Sequence, residues 1–368
     1  MSQLRALYQW HKQVGNSMSH MTKPQTKVLS SFSFGVATIR RCTLSVVAEA
    51  LYVLGKPDTV ERRLQRFLAN PRIDWSQCCK ALASWVIGSL HGDGLIVLLV
   101  DETSLHDRLK VMAVSLAYRG RALPLAWWCY PQEQWPKGQV ELIVDLLRWV
   151  AESIGHDREV LVQADRGIGN SPDLLRAIDG MGWYYLVRVA KNVRLKVDGG
   201  VPVSFESLID KPGDRWCGPV YAFKKAGWIK CWAQAQWQQG HAEAWLLLTN
   251  YPDAQESWYG MRMWEELAFR DFKTSGWQWQ RSRVWKAEHA NILWLVMAVA
   301  YVWVISMGTH VENSPMLKKE LTRGKERRLS LFSLGLRYLQ RRLSTGRRLI
   351  CSLSLVADPP ATSKSVVY

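Results

Sequence analysis

Four polar residues in the stretch 258–276, WYGMRMWEELAFRDFKTSG, are spaced Y-x2-R-x3-E-x6-K: Tyr259, Arg262, Glu266 and Lys273. At about 100° per residue on an α-helix, steps of three, four and seven return to nearly the same side. The spacing therefore predicts one stripe carrying a phenol, a guanidinium, a carboxylate and an ammonium. Met261, Trp264, Leu267 and Phe272 fall off the stripe and pack inward. Such a stripe suits holding a metal ion against a phosphodiester, with Glu266 on the metal and Arg262 and Lys273 on phosphate oxygens. Alone, it reads equally as a solvated face with an Arg262–Glu266 ion pair. The rest of the chain decides between the two.

Two further acids follow apolar runs. The segment GLIVLLVD, 94–101, reads as a buried central strand with Asp101 at its tip. On an extended chain Thr103 shares the face of Asp101, and Glu102 points the other way. The segment EVLVQAD, 159–165, repeats the pattern with Asp165, followed by Arg166 and Gly167 and by a helix from Pro172. Either aspartate alone reads as a turn or cap residue. Together with Glu266 they form an all-oxygen donor set for a pair of Mg²⁺ ions. Two such ions about 3.5–4 Å apart activate an attacking oxygen and stabilise a leaving one. No His or Cys sits in these motifs. Glu102, Glu265 and Asp271 are set aside as ligands: Glu102 lies on the opposite strand face, and the other two are off the helical stripe.

The elements that must position these groups belong to a chain of 368 residues, enough for two or three domains. Its net charge of +16 points to a polyanionic partner, nucleic acid or an anionic membrane. Most of the twenty Trp are expected in the core. Seven scattered Cys without a C-x-x-C argue against a zinc site or a disulfide framework. Residues 1–20 are polar and basic without an apolar core, so no secretory leader is expected. The apolar run 292–307 is shorter than the about 20 residues of a usual membrane span. It reads as a buried core helix.

In chain order, residues 1–92 read as helical, over roughly 26–39, 43–54, 58–69 and 75–90. Asp58 is expected to cap DTVERRLQRFLAN, with Leu64, Phe67 and Leu68 on its apolar side and Arg62, Arg63 and Arg66 on its basic side. This region holds twelve Lys/Arg against four Asp/Glu, a balance suited to DNA binding as well as to a solvated face. Strands at 110–118 and 122–130, a helix at 138–154 and strands at 183–190 and 243–249 complete a mixed α/β core. Between the last two lies a β-rich insertion, 191–242. Residues 311–350 carry eleven Lys/Arg against three Asp/Glu at helical spacing, and ADPPATSKSVVY reads as a loose tail.

The Tyr-Arg-Glu-Lys helix, VDET at 100–103 and QADRG at 163–167 resemble the DDE transposases of bacterial insertion sequences. More narrowly, they resemble the cut-and-paste group defined by that four-residue signature. FRDFK around Lys273 is also typical of the group. The resemblance is firmest over 95–280. It implies an α/β ribonuclease-H-like mixed-sheet core with a β-rich insertion, an all-α N-terminal domain and a helical C-terminal region. The domains would be 1–92 (DNA-binding), 93–190 and 243–310 (core), 191–242 (insertion) and 311–368 (basic C-terminal region). Asp101, Asp165 and Glu266 would hold Mg²⁺, with Mn²⁺ substituting. Tyr259, Arg262 and Lys273 would grip phosphates at the transposon end. Water would free a 3′-hydroxyl, which would form a hairpin before strand transfer. The partners implied are double-stranded DNA (transposon ends and target) and a second copy of the chain, with no membrane, in a bacterial cytoplasm at the nucleoid. A flipped base would stack on Trp237, Trp258, Trp277 or Trp279. Three alternatives remain: a nuclease or resolvase of the same fold without strand transfer, an inactive DNA-binding relative, and a basic membrane-associated protein using 292–307.

Overall fold

The computed structural model describes residues 2–197, 199–322 and 329–356. Five helices open the chain: α1 (Ser2–Ser17), α2 (Lys23–Ile39), α3 (Leu44–Ala50), α4 (Pro57–Leu68) and α5 (Trp75–Gly88). Thr22 and Gln25 form a capping box at α2, and Asp74 accepts the backbone N–H groups of Ser76 and Gln77 at α5. The expected cap at Asp58 is corrected. Lys56 precedes α4 and Pro57 takes its first position, where a fixed φ and a missing N–H cost nothing, so Asp58 falls in the first turn. Val60, Leu64, Phe67 and Leu68 of α4 are buried, while Arg62, Arg63 and Arg66 are exposed.

Next come β1 (Leu90–His91), β2 (Ile96–Leu105), β3 (Leu109–Tyr118), β4 (Arg121–Pro131), α6 (Gln139–Ala151), β5 (Val160–Ala164), α7 (Arg166–Gly169), α8 (Pro172–Gly180) and β6 (Tyr184–Arg188). They are followed by β7 (Arg194–Val197), β8 (Val203–Ser204), β9 (Arg215–Ala222), β10 (Ile229–Gln236) and β11 (Trp245–Thr249). Ten strands form one mixed sheet in the order β4-β3-β2-β5-β6-β11-β10-β9-β7-β8. The meander β2–β3–β4 is antiparallel, and β2, β5 and β6 run parallel. The β-rich stretch 191–242 supplies β7 to β10, which continue the same sheet through the β10–β11 pairing.

One detail of β2 departs from expectation. Asp101 is not at the strand's tip, because β2 continues to Leu105 by pairing with β3. The parallel partner β5 does stop, at the pair Val100–Ala164. Asp101 and Asp165 are each the next residue after that pair, so the register sets them side by side where β5 ends.

The chain then forms a 3₁₀ turn (Glu256–Arg262), α9 (Met263–Arg270) and a π-helical turn (Asp271–Ser275), followed by α10 (Ala287–Glu312), α11 (Pro315–Leu321), α12 (Leu331–Ser344) and β12 (Leu355–Val356). The strand β12 pairs in parallel with β1. By length and composition α10 could cross a membrane, but its apolar window is wholly enclosed by protein. It packs against β4, α2, α5 and α12. Trp303 of α10 stacks on Trp10 with centroids 4.2 Å apart. Asn291 follows the chemistry of the strand beside it, accepting from Cys129 N–H through its side chain and from Trp127 Nε1 through its carbonyl. The crossing with α12 is backbone to backbone: a Cβ on Gly308 would lie 2.0 Å from Leu331 O, and one on Gly335 1.9 Å from Val304 O. The expected tail lies outside the described residues.

Candidate active site

The stretch 258–276 is one continuous helical path built from three helix types, not one regular α-helix. In the 3₁₀ turn a step of three is a full circuit, so Tyr259 and Arg262 eclipse. The α-helical steps carry the stripe on to Glu266, and the π turn, which winds more slowly per residue, keeps Lys273 on the same side. Met261 and Phe272 are buried as expected, and Trp264 and Leu267 are half-buried.

A polar pocket of about 520 Å³ is lined by Asp101, Thr103, Asp165, Arg262, Glu266 and Lys273, with Phe269, Arg270 and Thr274 beside them; Glu102, expected on the opposite strand face, also reaches its lining. Arg262 is its hub. One guanidinium nitrogen donates to Asp101 Oδ2 at 3.1 Å and the other to Glu266 Oε1 at 2.9 Å. Asp101 also accepts the N–H of Glu102 at 2.8 Å. Asp165 caps the short α7, accepting the N–H of Ile168 at 3.0 Å. Gly169 ends that turn where nothing larger fits, since a Cβ there would lie 2.7 Å from Arg188 O on β6.

Burial pushes the Asp101 carboxyl up to about 6; Arg262 opposes the shift, and the charges of Asp165 and Glu266 add to it. Burial also works against the charge of Arg262, but Tyr259, Asp101 and Glu266 outweigh it and hold its proton more tightly. Lys273 is lowered by desolvation, with Asp101 acting the other way. Tyr259 does not line the pocket. It is buried with its ring edge-on to Trp245, and burial raises its hydroxyl to about 12.

The acids set aside have other partners. Glu102 pairs with Lys110 at 2.7 Å and accepts from the Tyr130 hydroxyl. Asp271 accepts from Arg121 at 2.9 Å and from Tyr301 at 3.1 Å. Glu265 is fully enclosed beneath the pocket, accepts from Ser115 at 2.9 Å, and has its other oxygen unpartnered. Burial raises its carboxyl well above the usual range, and Asp101 pushes it further. Of the pocket residues, Phe269, Arg270 and Thr274 were not singled out from the sequence. Arg270 is four residues after Glu266 and three before Lys273, so helical spacing could have found it. The exposed Arg62, Arg63 and Arg66 do not line this pocket.

The four candidate stacking tryptophans are separated by the structure. Trp277 and Trp279 are fully buried. Trp258 is half-buried, and its carbonyl accepts from Gln163. Trp237 lines a cavity of about 470 Å³ with Arg188, Lys191 and Arg166, the residue that follows Asp165 in sequence.

Among the described residues, no three His, Cys, Asp or Glu side chains form a ready metal cluster. The donors nevertheless fit a hard divalent cation. All are carboxylate oxygens on one pocket. The repulsion that Asp165 and Glu266 exert on Asp101 is what a cation would relieve.

Fold and pocket together define a mixed α/β protein with its acids and cations gathered where parallel strands end. Residues 137–303 match the family model of the transposase DDE domain. The matched span includes Asp165, Glu266 and the whole signature helix, begins after Asp101, and covers less than half of the 368 residues. The match supports a DDE transposase, that is, a transposase-type nuclease with DNA as its substrate. The large mixed sheet is consistent with a ribonuclease-H-like DDE domain. A search of the curated proteins returned no match.

Proposed function

We propose that this chain is a cut-and-paste transposase of the Tyr-Arg-Glu-Lys group, from a bacterial insertion sequence, that cleaves transposon ends and joins them to target DNA. The observation carrying this reading is the gathering of Asp101, Asp165 and Glu266 with Arg262 and Lys273 on one polar pocket. Asp101, Asp165 and Glu266 would hold Mg²⁺ or Mn²⁺. Such ions, when bound, supply Lewis-acid activation of the attacking oxygen and charge stabilisation of the leaving one.

The chain's own residues do the rest. Arg262 neutralises Asp101 and Glu266 until other charges enter, then has two donors free for a phosphate. Lys273 and Arg270 flank the same opening and supply positive charge to the DNA backbone. Tyr259 is buried and off the pocket lining in this state, so the phosphate contact proposed for its hydroxyl requires it to move on DNA binding. Trp237 is the proposed stacking partner for a flipped base, since it is half-buried on a cavity that also holds Arg166, Arg188 and Lys191, paired there with Glu243 and Glu206. A hairpin intermediate, a homodimer pairing two ends, a DNA-binding role for 1–92 through Arg62, Arg63 and Arg66, and a cytoplasmic location complete the proposal.

The test is cleavage of a labelled duplex taken from the DNA flanking the gene, with Mg²⁺, followed by joining to a target plasmid. Wild type should nick and join. Glu266→Gln should bind but lose more than about 100-fold in nicking, since even the partners of metal ligands are worth 10–100-fold. Nicking without joined product favours a nuclease. Equal nicking by the variant removes Glu266 from the chemistry.

A further inference from the structure

A groove of about 1000 Å³, which shares no lining residue with the catalytic pocket, lies between helices α3 and α4 on one side and the segment 281–289 on the other. Its charge is one-sided. Arg41, Arg281, Arg283 and Lys286 border it and are exposed, against the single acid Glu61. Glu61 accepts a hydrogen bond from Gln65 at 3.2 Å. Among the described residues Arg41, Arg283 and Lys286 have no ion-pair partner.

The walls are stitched at the base, so the groove exists before anything enters it. Cys42 N–H donates to Trp277 O at 2.8 Å, and the Thr43 hydroxyl donates to Arg281 O at 3.3 Å. The 281–289 wall is also held in an uncommon backbone. Arg283 has φ 59°, and Gln278, at the preceding bend, has φ 53°. Non-glycine residues there cost on the order of 1 kcal/mol and persist where surrounding structure holds them.

The groove connects to the strand of Asp101. The turn between β2 and β3 bears His106 and Arg108. His106 Nε2 lies 3.3 Å from Gln280 O, and the Arg108 guanidinium sits 4.9 Å over the ring of Trp285, which lines the groove. The tip of the hairpin that carries Asp101 therefore rests on the groove's wall.

We propose that this groove is a second DNA-backbone site, in which Arg41, Arg281, Arg283 and Lys286 take phosphates of the duplex away from the bond being cut. This deepens the transposase reading and rests on it. A concave channel with cations on both walls suits a phosphodiester strand better than a flat bilayer surface. Its contact with the β2–β3 tip gives the bound duplex a fixed relation to the catalytic pocket.

The experiment uses the full chain and a fluorescein-labelled duplex from the flanking DNA, with anisotropy measured across a salt series. The variant is Arg41→Gln/Arg283→Asn/Lys286→Gln, asparagine being chosen because it tolerates the left-handed backbone. The control is Lys224→Gln/Lys225→Gln/Lys230→Gln, an equal charge change on an exposed face far along the sheet. Binding by the groove variant should weaken roughly tenfold or more at moderate salt, and its slope of log K against log salt should flatten by about 0.9 per charge removed. The control should do neither. Lys286→Gln alone, expected to flatten the slope by about 0.9, serves if the triple variant does not fold. If wild type binds duplex and the groove variant binds with equal affinity and slope, the groove proposal is overturned and the transposase reading stands. Equal losses in groove variant and control also overturn it, as net charge alone would then explain both. If wild type binds no duplex, the transposase reading fails first. If the groove variant loses only flotation with phosphatidylserine vesicles, the groove is a membrane contact and the proposal is wrong.

Discussion

Arg262 donates to Asp101 at 3.1 Å across 161 residues of sequence. The contact ties the signature helix to the central strand and offsets part of the effect of burial on Asp101. Arginine is the residue suited to this place, because its planar fork can serve Asp101 and Glu266 at once.

Arg262→Lys keeps the charge and loses the fork. A charge-assisted hydrogen bond is worth about 1.5–3 kcal/mol, so DNA cleavage should fall roughly 10–100-fold. Single-turnover rates at saturating DNA measure this. Rates within twofold of wild type would show that the bridge has no part in the reaction.

The pH response follows from Asp101, whose pKa is raised to about 6, first by burial. A cation site needs the ionised carboxylate, so at sub-saturating Mg²⁺ cleavage should fall as pH drops through about 6, and saturating Mg²⁺ should move that fall to lower pH. Stability moves the opposite way. With the folded pKa above the ordinary 3.8, the native state binds the extra proton between those values. This contribution to stability is therefore largest below about pH 4 and is lost as pH rises through about 6. Asp101→Asn should abolish cleavage and remove this part of the melting profile.

Glu265 makes a separate prediction. Its carboxyl is fully buried and raised well above the ordinary 4.5, so it stays neutral in the fold. An acid raised on folding loses its stabilising share as pH climbs above the unfolded value. The melting temperature of Glu265→Gln relative to wild type should therefore increase steadily from about pH 4.5 upward. A difference independent of pH would mean that Glu265 is ionised in the native protein.

The α10–α12 crossing is tested by one methyl group. Gly335→Ala places a Cβ against Val304 O, and the helices must part. A loss of about 1–3 kcal/mol or more is expected in urea unfolding. Gly15→Ala in α1 meets nothing within 4 Å and should instead stabilise by roughly 0.5–1 kcal/mol. Similar responses from both would place the crossing outside the stable core.

Local patterns account for most elements: the apolar runs of β2 and β5, the Pro172 start of α8 and the buried α10 were all legible. The pocket was legible only as a list of parts. The Val100–Ala164 register, which sets Asp101 beside Asp165, is a pairing between distant segments with no local signal. The extension of the sheet through β7–β10 is likewise a matter of long-range pairing. The 3₁₀ and π turns around α9 escaped because apolar spacing does not distinguish helices that differ by a fraction of a residue per turn. Tyr259 and Glu265 show the same limit at single residues. The spacing puts Tyr259 on the polar stripe and Glu265 off it, and only tertiary packing reveals that both are buried.

The enclosure of α10 has a consequence during synthesis and turnover. Its 26 residues are covered by helices from both directions of the chain, α2 and α5 before it and α12 after it. A nascent or clipped polypeptide lacking α12 would carry one uncovered flank with the hydropathy of a lipid-spanning segment. That fragment would partition into bilayers or aggregate. Among the described residues α12 is the last helix, and it closes that flank of the apolar stretch.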